Sequence, residues 1–268
     1  MQQSLLEADA GVAPSFGAAR MRRIGMLTPS SNTVLEPVCA AMLAGLEDVS
    51  VHFARFRVTE ISLTDEALGQ FSSDSMLEAA AMLADARVDV ICWNGTSAAW
   101  LGLDQDRALC GSIQTSTGIP ATSSVLAMVA ALRRAGLKRV GLVTPYIDRV
   151  QSRIIENLAA EGFEIVAERH MGLSENFAFA GVTQDALADM IRQVASAEPE
   201  AILVLCTNLR AAPMVDALER EGAIPILDSV ATAVLGAFQV IGRSPGQIER
   251  YGRVFAGLGR GRGAEGAR

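Results

Sequence analysis

The chain has 268 residues, half of them hydrophobic, with a formal net charge of −7 and a pI of about 5.0. This length allows a large apolar core in one large domain or two smaller ones. The acidic balance argues against a nucleic-acid partner, which requires a basic surface. No apolar run reaches the roughly 18 to 20 residues of a membrane span.

The cysteine and histidine content limits metal and redox chemistry. The four cysteines have no metal-binding spacing and are few for a disulfide scaffold. We therefore expect reduced thiols in a cytoplasmic protein. Two histidines, His52 and His170, leave little material for a His-based metal site or a Ser-His-Asp triad, so we predict no metal site.

The chain repeats one pattern of alternating strands and helices. Residues 23–29 read RIGMLTP, and residues 139–145 read RVGLVTP. Each phrase predicts a strand that ends in a turn. In the first half it is followed by a helix at 34–45, a strand at 51–57, a helix at 74–86, a strand at 88–92 and, after the phrase GIPATS at 118–123, a helix at 125–135. The second half repeats the order with a helix at 147–161, a strand at 164–168, a helix at 184–197, a strand at 201–204 and, after the matching phrase AIPILDS at 223–229, a helix at 231–241.

Strands that alternate with helices of this length predict parallel sheets covered by helices. We therefore expect an α/β fold with two similar lobes, each a parallel sheet flanked by helices, related by a pseudo-two-fold axis. The expected division places residues 22–120 and 229–250 in the first lobe and residues 121–228 in the second. Residues 1–21 lack the apolar stretch of a secretory signal. They and the Gly- and Arg-rich residues 251–268 are predicted to be flexible tails.

Small polar residues follow one buried strand in each half. Gly95, Thr96 and Ser97 follow the strand at 88–92, and Cys206, Thr207 and Asn208 follow the strand at 201–204. Ligands bind at the carboxyl ends of strands in open α/β sheets. The repeat therefore predicts one cleft in which the two clusters face each other.

The residues at these strand ends suit an anionic ligand. Ser31 and Asn32 precede a predicted helix, where N–H donors favour an anion, although simple helix capping explains them equally well. Tyr146 adds a phenol at the matching place in the second half. Cys206 is the thiol placed for proton transfer, whereas the other cysteines are expected to be inert and buried. These cysteines are Cys39, Cys92 and Cys110.

The same residues carry a resemblance to known families. Residues 29–33, which read PSSNT, with Glu36 following, resemble the signature of maleate cis-trans isomerases. Gly95-Thr96-Ser97, Tyr146-Ile147-Asp148 and Cys206 resemble arylmalonate decarboxylase. Both families belong to the aspartate/glutamate racemase superfamily. The resemblance implies the duplicated α/β fold and an enzyme that needs no cofactor.

The resemblance also implies the roles of the site residues. Racemases and maleate isomerases have a cysteine on each lobe, whereas here Gly95 holds the first-lobe position, as in arylmalonate decarboxylase. A single thiol favours one-sided protonation after loss of carbon dioxide. The implied catalytic residues are Cys206, Tyr146, Thr96 and Ser97. The implied substrate-binding residues are Ser31, Asn32, Gly95, Thr207 and Asn208.

The function implied first is a cofactor-independent decarboxylase that acts on a small, malonate-type carboxylic acid through an enediolate. Two alternatives stay open. One is maleate isomerase or Asp/Glu-type racemase chemistry, with Cys206 alone or with Cys92. The other is a non-catalytic protein that binds a carboxylate. In each case the partner is a small carboxylate or dicarboxylate, with no nucleic acid and no membrane, and assembly into a homo-oligomer stays open.

Overall fold

The computed structural model describes residues 20–258, and this range contains two four-stranded parallel sheets with covering helices. The strands are β1 (Arg22–Pro29), β2 (Val49–Phe56), β3 (Val90–Trp93), β4 (Ala121–Ser123), β5 (Arg139–Tyr146), β6 (Glu164–Leu173), β7 (Ala201–Val204) and β8 (Ile226–Asp228). The helices are α1 (Leu35–Leu43), α2 (Asp65–Gly69), α3 (Ser73–Asp85), α4 (Ala98–Leu101), α5 (Leu103–Thr117), α6 (Ser124–Ala135), α7 (Asp148–Ala160), α8 (Asn176–Phe179), α9 (Gln184–Ala195), α10 (Val215–Gly222), α11 (Ser229–Val240) and α12 (Arg253–Ala256). Two 3₁₀ helices cover Ala212–Met214 and Gly246–Tyr251.

The two sheets have the same topology. Their strand orders are β2-β1-β3-β4 and β6-β5-β7-β8, so each strand of the first sheet has a counterpart four strands later. Every residue of β3 and β7 is buried, as expected for central parallel strands covered on both faces. The predicted fold of two similar α/β lobes is confirmed.

Helices α6 and α11 pack against each other and join the lobes. Each begins with a matching cap, because the Ser123 hydroxyl accepts from the Leu126 N–H and the Asp228 carboxylate accepts from the Val230 and Ala231 N–H groups. Ser124 donates from its hydroxyl to the Ser229 carbonyl at 2.6 Å. Helix α11, which follows the second sheet, also contacts β3 and β4 of the first sheet.

The lobe boundary differs from the predicted one at β4. The expected division gave residues 121–228 to the second lobe, but β4 pairs with β3, Ile91 opposite Ala121. Strand β4 thus completes the first sheet, and the chain leaves that lobe along α6. The short strand is hidden in the sequence because only three residues pair.

The C-terminal stretch also differs from the prediction. A flexible tail was expected from residue 251, but Tyr251, Val254 and Phe255 are buried and α12 lies against α11. Their apolar side chains explain the packing. The rest of that predicted tail, residues 259–268, lies outside the described residues, as do residues 1–19 of the predicted N-terminal tail. No helix within residues 20–258 has the length and apolar character needed to cross a bilayer.

Candidate active site

A small cavity lies where the carboxyl ends of the two sheets meet. Its volume is about 20 Å³. Both predicted strand-end clusters contribute to it. Its lining consists of Pro29, Val58, Ile61, Phe71, Trp93, Gly95, Thr96, Ser97, Trp100, Tyr146, Asn176, Cys206 and Thr207. The cleft expected from the repeat is therefore present, and no charged side chain is among the residues that line it.

Thr96 and Tyr146 bring hydroxyl groups from the two lobes together. The Thr96 Oγ1 and Tyr146 Oη atoms lie 2.8 Å apart and are hydrogen-bonded. Burial raises the pKa of the Tyr146 phenol well above its ordinary value, so the phenol keeps its proton. With Ser97, these hydroxyls form a cluster of neutral hydrogen-bond donors suited to an oxyanion.

Cys206 places one thiol in the cavity at the end of β7. The side chain is 2% exposed, and its Sγ accepts from the Asn208 N–H at 3.4 Å. Burial raises the pKa of the thiol to about 12, although the Asn208 N–H and the Tyr146 hydroxyl oppose the shift, and the buried carboxyl of Asp228 adds to it. The thiol is therefore protonated at neutral pH and ready to act as an acid rather than as a thiolate nucleophile.

Gly95 lies opposite as the first-lobe counterpart, but the space beside it is filled. A Cβ built on Gly95 would lie 2.1 Å from Cζ2 and 2.3 Å from Cη2 of Trp93. A second thiol introduced by Gly95→Cys would therefore collide with the Trp93 indole. A direct exchange of this glycine for cysteine therefore requires Trp93 to move.

A hydrogen-bond network behind the cavity ties the lobes together. Asn32 donates from Nδ2 to Thr207 Oγ1 at 3.0 Å, and the Thr33 N–H donates to Asn208 Oδ1 at 3.0 Å. Asn32 also caps α1 by accepting from the Val34 and Leu35 N–H groups. The helix cap considered for Asn32 is therefore present, and both polar atoms of its side chain are bonded to protein.

Ser31 and Asn208 belong to the same network. The Ser31 hydroxyl donates to the Val58 carbonyl at 2.5 Å, and Asn208 Nδ2 donates to the Asn176 carbonyl at 2.6 Å. Neither they nor Asn32 line the cavity. Their role in binding substrate stays a prediction, and their observed contacts hold the lobes together.

Asn176 and three aromatic residues line the cavity without having been predicted. Asn176 is buried, follows β6 and donates from Nδ2 to Ser31 Oγ at 2.7 Å. Its position shortly after a strand is the sequence feature that could have identified Asn176 as a site residue. Phe71, Trp93 and Trp100 form an apolar wall, and the Trp100 indole N–H is buried with no acceptor within the described residues.

Other candidate residues lie away from the cavity. Cys92 is buried in β3 and donates from Sγ to the Ala233 carbonyl at 3.6 Å, so it packs between α11 and the sheet. Cys39 and Cys110 are not in the lining either. Arg210, four residues after Cys206, is exposed and does not line the cavity. Residues 20–258 contain no cluster of three or more His, Cys, Asp or Glu residues able to hold a metal ion.

The two-lobe fold and the shared cavity define an α/β protein of the kind expected from the resemblance. The sequence profile of the arylmalonate decarboxylase family matches residues 24–255. The chain belongs to the arylmalonate decarboxylase family.

Relatives in this family are enzymes with two kinds of activity. Maleate isomerase of Nocardia farcinica is 29% identical over 231 residues, which cover 82% of this chain and 89% of that protein. Arylmalonate decarboxylase of Bordetella bronchiseptica is 29% identical over 185 residues, 68% of this chain and 77% of that protein. The crystal structure of a maleate isomerase from Pseudomonas putida superposes with a TM-score of 0.81 at 24% identity and covers 89% of this chain and all of that one. The relatives thus comprise lyases and isomerases.

Replacing Asn208 by alanine is expected to weaken the junction between the lobes. The change leaves the partly buried Thr33 N–H and the buried Asn176 carbonyl without their partner, and an unpaired buried polar group costs about 1 to 3 kcal/mol of unfolding free energy. Urea unfolding measures this loss. Arg210→Ala, at an exposed position two residues away, is the control and should change the unfolding free energy by less than about 0.5 kcal/mol. Equal stabilities of the two variants would contradict the structural role of Asn208.

Proposed function

We propose that the protein is a cofactor-independent decarboxylase that acts on a small, malonate-type carboxylic acid. The observation that supports this choice is the asymmetry of the cavity. One protonated thiol, Cys206, enters from the second lobe. The place of a first-lobe partner is filled by the Trp93 indole. Such a site suits a reaction that delivers a proton to one face of a planar intermediate.

The retained carboxylate binds to neutral donors. Thr96, Ser97 and Tyr146 supply hydroxyl groups, and the backbone N–H of Thr207 lies beside them. As carbon dioxide leaves, negative charge grows on the oxygens of this carboxylate. Donors that are already in place stabilise this charge more than the charge of the bound acid, and this difference accelerates the reaction.

The leaving carboxylate faces the apolar part of the cavity. Val58, Ile61 and the aromatic wall offer no charged group to a second carboxylate. A carboxylate in such surroundings loses its hydration without a compensating partner. Its conversion to neutral carbon dioxide removes that cost, so the wall favours cleavage of the carbon–carbon bond.

The proton balance involves one thiol. When the bond to the leaving carboxylate breaks, its electron pair moves into the enediolate of the retained carboxylate. The Cys206 S–H then gives its proton to the α carbon, which produces the monoacid and a thiolate. Water returns a proton to the thiolate, whose raised pKa favours recapture. The net reaction consumes one proton and releases one carbon dioxide.

An isomerase acting on maleate is the second candidate. Its support is the PSSNT phrase at residues 29–33 and the maleate isomerases among the relatives. In the resemblance that chemistry uses a cysteine on each lobe, whereas the cavity of this chain holds one. This difference places decarboxylation first.

Removing the thiol tests the proposed reaction most directly. Incubation with substituted malonates and with maleate in deuterium oxide, followed by proton NMR, reports decarboxylation, isomerisation and exchange together. Cys206→Ala should abolish turnover, because Cys206 is the one cysteine among the residues that line the cavity. Cys92→Ala is the matched control, since this cysteine lies in the core outside the cavity and should lose little activity. Formation of fumarate from maleate by the parent would favour the isomerase, and full turnover by Cys206→Ala would remove the thiol from the mechanism.

Removing single oxyanion donors should slow turnover while the fold is kept. Ser97→Ala and Tyr146→Phe each delete one hydroxyl, and loss of such a donor reduces kcat by roughly 100- to 1,000-fold. Steady-state kinetics on the substrate found in the NMR panel measure the effect, with circular dichroism as the check of folding. Near-parental kcat in both variants would exclude these hydroxyls from transition-state stabilisation.

The pH dependence distinguishes an acid from a nucleophile at Cys206. The protonated thiol is the active form of an acid and persists below a pKa of about 12. We therefore expect kcat to stay level, without a basic limb from this group, as the pH rises from about 7 to about 10. A thiolate nucleophile would instead become about tenfold more populated with each pH unit. A pH profile of kcat that climbs in this way contradicts the acid role.

A further inference from the structure

The side chain that closes the first-lobe side of the cavity is Trp93, the last residue of β3. It is 1% exposed and lines the cavity with Cys206, which enters from the other lobe. The six-membered ring of its indole contributes the atoms nearest to a Cβ built on Gly95, at 2.1, 2.3 and 2.6 Å. The indole therefore occupies the volume that any side chain at position 95 would need.

The glycine at position 95 is required by this contact rather than by backbone conformation. Gly95 is not among the described glycines whose φ lies in the left-handed region. A side chain is thus excluded by the neighbour and not by strain in the chain. Gly95 and Trp93 act as a pair, in which the absence of one side chain makes room for the other.

Two contacts fix the indole in its position. The ring packs against Phe56 with centroids 5.2 Å apart and an interplanar angle of 52°. Its Nε1–H donates to Ser97 Oγ at 3.2 Å. Because the Ser97 oxygen accepts this bond, its own hydrogen is available for another acceptor, and a substrate oxygen in the cavity is one.

We propose that Trp93 is the specificity-determining residue of this site. Its indole shields the first-lobe face of the substrate and limits the substituent on the α carbon to a small aliphatic group, so that aryl-substituted acids are poor substrates. The cavity volume of about 20 Å³ agrees with this limit, since it lies far below the roughly 300 to 1,000 Å³ of pockets for drug-sized ligands. The substrate class rests on the proposed function, whereas the packing of Trp93 against position 95 does not.

The packing is tested by unfolding measurements on four proteins: the parent, Gly95→Cys, Trp93→Leu and the double variant. Gly95→Cys alone should lower Tm by about 3 to 10 °C, because overpacking in a core is destabilising. In the background of Trp93→Leu, the same cysteine should cost much less, which gives a clear interaction term in the double-mutant cycle. Additive effects of the two changes would overturn the proposed exclusion.

The size limit is tested with methylmalonate and phenylmalonate as paired substrates. The parent should favour methylmalonate, and Trp93→Leu should raise the phenyl-to-methyl ratio of kcat/KM by about tenfold or more. Phe238→Leu shortens another fully buried aromatic side chain, outside the cavity, and should leave the ratio unchanged. A ratio that Trp93→Leu does not change, or that Phe238→Leu raises equally, overturns the role of Trp93.

A binding measurement separates failure of this proposal from failure of the proposed function. If the parent decarboxylates neither malonate, calorimetric titration with propionate and phenylacetate still reports the size of the cavity. Trp93→Leu should then strengthen binding of phenylacetate relative to propionate by about tenfold. An unchanged relative affinity, or no binding of either acid to both proteins, overturns the size limit independently of the reaction.

Discussion

The hydrogen bonds across the seam between the two sheets hold the rest of the site in place. Asn32 to Thr207 and Thr33 to Asn208 connect the strand-end loops of the two lobes directly. A single lobe would present its strand ends to solvent, because the cavity is lined by residues of both lobes. The Asn32–Thr207 hydrogen bond is buried and the Thr33–Asn208 hydrogen bond is partly buried, so opening the seam would leave these polar groups without their partners. They therefore fix the distance at which hydroxyls of one lobe meet the thiol of the other.

The cavity that results contains no charge of its own. Its polar side chains are hydroxyl, amide, indole and thiol groups, and burial raises the pKa values of both Tyr146 and Cys206. All of them are donors in their neutral form. In the proposed reaction, the acid substrate therefore brings the only charge into the cavity, and the neutral donors stabilise that charge as it moves onto the retained carboxylate.

The duplication produces two equivalent strand ends with unequal chemistry. The sheets share one topology, and even the caps of α6 and α11 occupy matching places. The difference lies in a few side chains, since one lobe presents Cys206 and the other presents Gly95 covered by Trp93. In the proposed reaction, this local asymmetry makes one face of the planar intermediate reactive and closes the other.

The amino-acid sequence by itself determined the two-lobe α/β fold and the two polar strand-end clusters that share the cavity. The repeated strand phrases and the residues after β3 and β7 carry this information, because parallel strands align their carboxyl ends at one edge of a sheet. The position of β4 escaped prediction, since three paired residues carry no periodic signal. The tertiary structure alone decided that Asn32 and Asn208 bond across the seam and that Trp93 turns back over Gly95. Both depend on contacts between side chains from different elements, which no local pattern in the chain records.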